Sequence, residues 1–457
     1  MFVRDMQGIG SPAEHHAARG FFRTAERDGV LWLVDPDGRR FLSKGVNSVC
    51  FDQDRIRDSD RIPYAEACQR KYGGEDAWRT ATAARLARWG FNTLGAWSDE
   101  AVATVGPARL AVTPNLDLAG SFIGQRGLPP KAGPQQEFAD VFDLDFDGHV
   151  RRRADELCGK RRDRLNIIGW FIDNELRWGP DWRGPGELLD LFLRLPSASA
   201  GRNAAIGWLR GRHPDFGAFN ATWRVPAKSW DAFAALTQID APYRRVPPYQ
   251  RSASDEDAAN RTDPRRSAFF AGCDAFAALV AERYFSLTCA AIKAADPNHL
   301  VLGCRFAYVP PPGVVAAAAR HCDVISLNCY DVDASATIAA YAATGKPCVI
   351  GEFSFRGADS GLPNTNGAGP LVATQAERAA CLRRYVTAAL NQPNVVGYHW
   401  FEFADQPAEG RFDGENSNFG TVTIDDEVYE ELTQAMTAVN AAAEQVHAGA
   451  AASVASA

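Results

Sequence analysis

The sequence predicts an α/β chain folded as a (β/α)8 TIM barrel, with a short N-terminal antiparallel β meander and a long insertion after strand 4. Eight short apolar segments recur along the chain, and segments of helical length lie between them. Apolar strands that each lead into a helix are typical of a parallel sheet covered by helices. Eight such units over about 400 residues match a closed barrel better than an open sheet.

The elements follow in order. Residues 21–44 alternate in polarity and carry the turn dipeptides Asp28-Gly29 and Asp37-Gly38, which predicts the meander. The eight apolar segments are residues 41–49, 91–97, 109–118, 166–175, 299–308, 323–331, 346–355 and 394–403. Helices are predicted at Asp76–Trp89, Gly148–Gly159, Phe269–Ala295 and Gln375–Asn391. An open doubly wound sheet favours a glycine-rich phosphate turn, and neither G-x-G-x-x-G nor G-x-x-x-x-G-K occurs.

The remaining segments are expected to surround a single catalytic domain that covers residues 21–440. Residues 1–20 are interpreted as a partly disordered leader, and residues 441–457, which are of low complexity, as a flexible tail. Residues 184–266 form the insertion, with a helix at Ser199–Gly211 and a mobile polar loop at residues 252–265.

Composition excludes several classes of protein. The 457 residues carry 49 Lys and Arg against 56 Asp and Glu, a net charge of −7, which argues against a nucleic-acid partner. No apolar run approaches the roughly 20 residues of a membrane helix, and the first residues lack a signal-peptide core, so we expect a cytoplasmic protein. The ten cysteines are scattered without a C-x-x-C pair, which indicates buried free thiols. We expect no metal and no cofactor.

Two carboxylates stand where barrel enzymes carry their chemistry, at the carboxyl ends of strands. Glu175 ends the fourth apolar segment and Glu352 lies near the end of the seventh. Burying unpaired carboxylates is costly, so both need a reason. Glycoside hydrolysis supplies one, since one carboxyl protonates the leaving oxygen and the other attacks the anomeric carbon or activates water. The alternative is a structural pairing with Arg305 or Arg356.

Other strand-end side chains suit a sugar. Asn174 could bind the sugar 2-hydroxyl, and Arg305 could contact substrate or orient Glu175. The aromatic residues that suit sugar faces are Trp97, Trp178, Tyr330 and Trp400, and the further substrate-binding candidates are Asn47, Asn328, Glu402, Arg411 and Glu415. Arg411 and Glu415 could instead bond to each other, together with Asp413 and Asn416, in the loop after strand 8. Structural roles are favoured for Asp173, His399, Asn115 and Asp117.

Two motifs carry a family resemblance: W-x-x-D-N-E-L at residues 170–176 and G-E-F at residues 351–353. With residues 21–48, 169–179 and 404–436, they resemble the clan A retaining glycoside hydrolases, most closely the agarase family 50 and more distantly the family 42 β-galactosidases. The resemblance implies that Glu175 is the acid/base and Glu352 the nucleophile. It also implies that Asn174 binds the 2-hydroxyl, that Tyr330 holds the nucleophile, and that Trp400 forms the subsite floor.

The resulting hypothesis is a retaining β-glycoside hydrolase that acts on β-galactoside-containing oligosaccharides, agarase-like and exo-acting. One alternative is an exo-β-galactosidase or another exo-β-glycosidase on small imported oligosaccharides. An alternative of another class is a non-catalytic sugar-binding barrel, against which the presence of both glutamates argues. No H-E-x-x-H or G-x-S-x-G motif points to zinc or serine hydrolysis. The expected partner is an oligosaccharide, and a homo-oligomer is allowed.

Overall fold

The computed structural model describes residues 20–106, 109–125, 138–245 and 263–451. The predicted leader, except for Gly20, lies outside the described residues, as does most of the predicted loop at residues 252–265. The chain begins with three antiparallel strands: β1 (Arg23–Arg27), β2 (Val30–Val34) and β3 (Arg40–Phe41). The predicted meander is therefore confirmed.

Each of the eight apolar segments contains one parallel strand. These strands are β4 (Ser43–Val46), β5 (Thr93–Leu94), β6 (Ala111–Val112), β7 (Gly169–Trp170), β8 (Leu300–Val301), β9 (Ile325–Asn328), β10 (Cys348–Phe353) and β13 (Val395–Trp400). Between the last two lie β11 (Arg356–Gly357) and β12 (Leu371–Val372), which pair with each other. The predicted parallel α/β sheet is confirmed.

The pairing of the eight strands runs in a cycle. One sheet has the order β6-β5-β4-β13-β10-β9, and a second contains β7 and β8. A parallel bridge between Val112 and Ile167 joins β6 to the β7 segment. Another, between Phe306 and Leu327, joins the β8 segment to β9. Neighbours in this order lead from β4 through each strand in sequence and back to β4.

Helices connect the strands and fill the insertion. They are α1 (Pro63–Tyr72), α2 (Glu75–Arg88), α3 (Leu118–Gln125), α4 (Leu144–Leu157), α5 (Leu188–Leu193), α6 (Ala200–Arg212), α7 (Phe216–Trp223), α8 (Trp230–Ala234), α9 (Pro264–Ala295), α10 (Pro312–His321), α11 (Ser335–Ala342), α12 (Gln375–Leu390) and α13 (Glu430–Ala448). Short 3₁₀ turns lie at Glu100–Thr104, Gly159–Arg161 and Ala358–Ser360. Capping sets the start of α12, where Thr374 accepts from the Glu377 amide and Glu377 accepts from the Ala373 amide.

Helix α9 starts five residues before the predicted Phe269, because Asp263 caps it and Pro264 occupies its first turn. It is the one helix among the described residues that is long and apolar enough to cross a membrane. More than half of its most apolar stretch is buried within the protein, which is the pattern of a core helix.

The expected flexible tail is wrong for residues 441–448, which continue α13. His447 is fully buried, and its ring nitrogens lie 2.9 and 3.0 Å from the carbonyl oxygens of Leu31 and Leu390. The composition that reads as low complexity is rich in alanine, which has the highest helix propensity.

A small apolar cluster covers one end of the parallel strands. Phe22, Leu33 and Phe41 of the meander region pack with residues at the amino ends of the parallel strands, such as Ile168 and Val349. The meander therefore covers the amino-terminal end, and the carboxyl ends carry the polar residues described next. All ten cysteines are free, and nine of them are buried.

Candidate active site

Glu352 lies in β10 with 5% of its surface exposed. One carboxylate oxygen accepts from Arg305 Nη2 at 2.5 Å, and the other accepts from the Tyr330 hydroxyl at 2.6 Å. Arg305 follows β8 and Tyr330 follows β9, so neighbouring parallel strands deliver both donors to one carboxylate. Hydrogen bonds from a cation and a hydroxyl stabilise the charged form of a carboxylate. The arrangement therefore suits an ionised Glu352.

Glu175 follows β7 and is half-buried. Its pKa is raised to about 7, first by burial and second by the negative charge of Glu352, while a hydrogen bond from Asn328 opposes the shift. That bond joins Asn328 Nδ2 to Glu175 Oε1 at 3.0 Å. The two glutamates thus face different environments, and Glu175 keeps its proton up to near-neutral pH.

Asn174 and Asn328 connect the two carboxylates. The side-chain oxygen of Asn174 accepts from Arg305 Nε at 2.8 Å and from Asn328 Nδ2 at 3.1 Å. Asn328 is buried and is the register partner of Glu352 in the β9–β10 pair. A movement of any one of these side chains therefore disturbs hydrogen bonds to both glutamates.

Trp97 presents an aromatic face beside these residues. The Arg305 guanidinium, which is fully buried, lies 4.8 Å from the Trp97 ring centroid and 4.7 Å from that of Phe171. The Trp97 side is open, since this residue is 42% exposed. Arg305 thus holds one face of the indole and leaves the other accessible to a ligand.

The backbone adopts the left-handed conformation at three of these positions. The φ angles are 59° at Trp97, 51° at Glu175 and 55° at Arg305. Each residue lies just past the carboxyl end of a parallel strand. Such a conformation costs a non-glycine residue about 1–2 kcal/mol, and such strain clusters at functional sites.

Two predicted sugar platforms are wrong. Trp178 is 5% exposed and packs among Phe138, Tyr284 and Phe285, with the last ring stacked at 5.8 Å. Trp400 is 1% exposed and donates its indole N–H to the Phe419 carbonyl at 2.9 Å. Rings packed in this way offer no open face for a sugar, although Trp178 contributes to the wall of a cavity beside Leu176.

Two predicted polar contacts are also corrected. Asn47 is fully buried and donates to the Gly351 carbonyl at 2.8 Å, so it fixes the β10 backbone next to Glu352 rather than a ligand. Glu402 is fully buried as well, and it accepts from Gln406 at 3.0 Å. Arg305, expected to contact substrate or to orient Glu175, directs its side chain to Asn174 and Glu352.

Arg411 and Glu415 bond to each other in the loop after β13. This agrees with the second interpretation of these residues, in which they pair with each other and do not bind substrate. Arg411 Nη2 donates to Glu415 at 2.7 Å, and Gln406 donates to the same oxygen at 2.9 Å. Two further carboxyls lie near Arg411, Asp54 at 3.7 Å and Glu402 at 3.8 Å. The pKa of Glu402 is raised well above its usual range, first by burial and second by repulsion from the Asp54 carboxylate.

The residues assigned structural roles have partners of that kind. Asp173 accepts from the amides of Ala119 and Gly120 and from the Tyr284 hydroxyl. His399 is fully buried, and its Nε2 lies 2.8 Å from Ser43 Oγ. Asn115 is half-buried after β6, where it forms a backbone bridge to Phe171, and Asp117 is exposed. In the loop after β13, Asp413 bonds to Arg411 and Asn416 bonds to Thr365. Within the described ranges, no group of three or more His, Cys, Asp or Glu could hold a metal ion.

Sequence reasoning missed Asp54, Gln406 and Arg183. Arg183 Nη2 donates to the Glu175 carbonyl at 2.8 Å. Asp54 and Gln406 carry no sequence signal, because the contacts that bring them to Arg411 and Glu402 depend on how the loops fold. The sequence signal for Arg183 is weak: this residue follows an aromatic residue in the loop directly after the fourth apolar segment.

Comparisons with known proteins show what the whole chain is similar to. No family model matches the chain. β-Agarase A from Vibrio sp. (strain JT0107) is 29% identical over 93% of this chain and 45% of its own length, and β-agarase B from the same organism is 27% identical over 91% and 47%. The chain thus spans about half the length of these curated relatives.

Solved structures with the same fold include an exo-β-agarase and PfGH50B. Each has a TM-score of 0.75 and 24% identity; the first match covers 95% of this chain and 66% of the other, and the second covers 95% and 68%. The agarase AgWH50C has a TM-score of 0.73. The resemblance to the family 50 agarases that the motifs indicate is confirmed.

Proposed function

We propose that this chain is a retaining β-glycoside hydrolase with Glu352 as nucleophile and Glu175 as acid/base. The observation that carries the proposal is the difference between the two carboxyls. Glu352 receives hydrogen bonds from Arg305 and Tyr330, whereas Glu175 has a pKa raised to about 7. Double displacement needs this division, one ionised group to attack and one protonated group to give its proton away.

The cyclic order of the eight parallel strands supports a closed (β/α)8 barrel as the scaffold. In such barrels the side chains that follow the carboxyl ends of the strands meet at one face. Here Trp97 follows β5, Glu175 follows β7, Arg305 follows β8 and Tyr330 follows β9, while Glu352 lies in β10. A sugar ring bound over Trp97 would lie beside both glutamates.

The first step follows from these positions. Glu352 attacks the anomeric carbon, Glu175 transfers its proton to the glycosidic oxygen, and the bond between that carbon and oxygen breaks. Among the described residues, none accepts a hydrogen bond from the Asn174 amide nitrogen, so this donor can bind the 2-hydroxyl. A hydrogen bond there strengthens in the transition state.

The second step uses the coupling between the glutamates. Once Glu352 carries the glycosyl ester, its negative charge is gone, and one cause of the raised pKa of Glu175 goes with it. Glu175, which gave up its proton in the first step, therefore stays ionised beside the neutral ester. It accepts a proton from water while the water oxygen attacks the anomeric carbon. The bond between that carbon and Glu352 breaks, and the sugar leaves with its original configuration.

The relatives support a narrower substrate. Two curated relatives are β-agarases, and one solved structure is an exo-β-agarase. We therefore propose β-galactoside-containing oligosaccharides derived from agarose as substrates, cleaved from a chain end.

Azide rescue of a Glu352→Ala variant tests the proposal. We expect turnover of an aryl β-galactoside to fall by about 10⁴-fold or more, because no covalent intermediate can form. Added azide should restore activity and yield a glycosyl azide of inverted configuration. The control is Glu282→Ala, which removes a surface carboxylate bonded to Arg320 and His321 and should leave activity unchanged. A rescued product of retained configuration would assign the nucleophile to another residue.

A further inference from the structure

The loop that follows Glu175 carries an exposed aromatic residue. Trp182 is 48% exposed, and the Arg183 guanidinium lies 4.4 Å from its ring centroid. Aromatic rings are frequent anchors at binding surfaces.

The position of Trp182 is fixed relative to Glu175. Asp181 and Gly184 close a tight turn through two backbone hydrogen bonds, at 3.0 and 3.1 Å, and Trp182 lies at its tip. Arg183 bonds to the Asp181 carboxylate and to the Glu175 carbonyl, the latter at 2.8 Å. The turn, the arginine and the acid/base residue therefore form one connected unit.

A second aromatic residue extends this surface. Tyr308, on the loop after β8, has its ring centroid 5.9 Å from that of Trp182. It also lines a cavity of about 340 Å³ whose wall includes Leu176, directly after Glu175, and Pro310–Pro312. A volume of that order is within the range of small-ligand sites. Tyr308 thus joins the Trp182 ring to a space that is large enough for part of a ligand and that reaches the residue after Glu175.

We propose that Trp182 and Tyr308 form the platform for the sugar on the leaving side of the scissile bond. The proposal rests on the proposed function, in which Glu175 protonates the leaving oxygen. The leaving sugar must then lie on the Glu175 side, where Trp182 is exposed and the half-buried Tyr308 ring lies beside it. The C–H faces of a pyranose pack on such rings, so the site selects a saccharide leaving group over a small one.

Two substrates separate this role from a structural one. An agaro-oligosaccharide leaves a sugar on the platform, whereas β-galactosyl fluoride leaves only fluoride. Trp182→Ala should lower kcat/KM for the oligosaccharide by about tenfold or more, since that factor corresponds to the loss of one aromatic anchor. The same variant should hydrolyse the fluoride within about twofold of the wild-type rate.

Matched variants complete the experiment. Trp182→Phe keeps an aromatic face and should recover most of the oligosaccharide activity, and Tyr308→Ala should repeat the selective loss. Glu282→Ala removes a surface carboxylate bonded to Arg320 and His321 and should change neither substrate. Equal losses on both substrates, or no loss on either, would overturn the platform. A wild-type protein that leaves both substrates intact would instead refute the proposed function.

Discussion

Glu175 and Glu352 are the same residue type, and their neighbours place them in different environments. Arg305 and Tyr330 place a cation and a hydroxyl on Glu352, while Glu175 receives one amide hydrogen bond from Asn328 and remains close to the charge of its partner. The identity of both glutamates could be predicted from the sequence, because carboxylates at strand ends need a reason to be buried. The division of protons between them depends on distances that only the folded chain sets.

The pKa of Glu175 predicts how activity depends on pH. Because burial and Glu352 raise it to about 7, kcat/KM should fall roughly tenfold for each pH unit above that value, as the acid loses its proton. A pH profile on an unactivated galactoside measures this limb. In Glu175→Gln, assayed with an aryl galactoside whose leaving group needs no proton, the limb should be absent.

The raised pKa of Glu175 also makes the stability of the fold depend on pH. A raised folded-state pKa means that protonated Glu175 supports folding below the unfolded value, and that this support is lost as the pH rises through about 7. Glu175→Gln should therefore raise the melting temperature by about 2 °C at pH 9, and by less at pH 5. An alkaline limb that survives in Glu175→Gln, together with an unchanged melting temperature at pH 9, would contradict the assigned role.

The tryptophans show that the exposure of a side chain could not be predicted from its local sequence. Trp97, Trp178 and Trp400 all follow or end apolar segments, and nothing in their local sequence separates them. The structure leaves Trp97 42% exposed over Arg305, and buries the other two. Whether a ring faces solvent is decided by the helices and loops packed above it, and these are distant in sequence.

Among the elements, the parallel strands were easier to predict than the C-terminal helix α13. All eight apolar segments contain parallel strands, because a run of apolar residues bounded by polar ones has few other uses in a chain of this kind. Helix α13 was missed because its alanine-rich end reads as low complexity, although the buried Leu432, Met436 and Ala443 recur at helical spacing. Polar contacts add to this buried face, such as the bond from Lys44 Nζ to the Asn440 carbonyl at 3.1 Å.

His447 provides a test of that docking. His447→Ala removes a side chain whose ring nitrogens lie 2.9 and 3.0 Å from the carbonyl oxygens of Leu31 and Leu390, in the buried interface between α13, β2 and the end of α12. Leaving a buried carbonyl unsatisfied costs about 1–3 kcal/mol, so the free energy of unfolding should fall by about 2–4 kcal/mol. Urea denaturation measures it. The control, His321→Ala, removes a partly exposed histidine bonded to Glu282 and should cost less than about 1 kcal/mol. Equal effects of the two variants would mean that α13 is not held through His447.

For the whole molecule, the order of strands has a mechanical consequence. Strand β4 begins at Ser43 and β13 ends at Trp400, yet the two strands are paired in parallel register. The barrel predicted from the eight segments implies that the first and last strands pair, but no local pattern in the sequence fixes the register of that pairing. A ring joined in this way couples the two ends of the chain, so we expect the described body to unfold in one cooperative transition.

Gly397 tests the pairing of β4 with β13. A Cβ at this position would lie 2.6 Å from Ser43 Cβ and 2.7 Å from the Ser43 carbonyl oxygen, so Gly397→Ala forces β13 and β4 apart. Overpacking of this kind costs about 1–3 kcal/mol, and the melting temperature should fall while the transition remains single. The matched control is Gly207→Ala in α6, where no heavy atom lies within 4 Å of the added group. It should gain about 0.5–1 kcal/mol from helix propensity. Calorimetry distinguishes the outcomes: two separate transitions in Gly397→Ala, or stability equal to that of the wild type, would show that the two halves of the chain fold independently of the β4–β13 pairing.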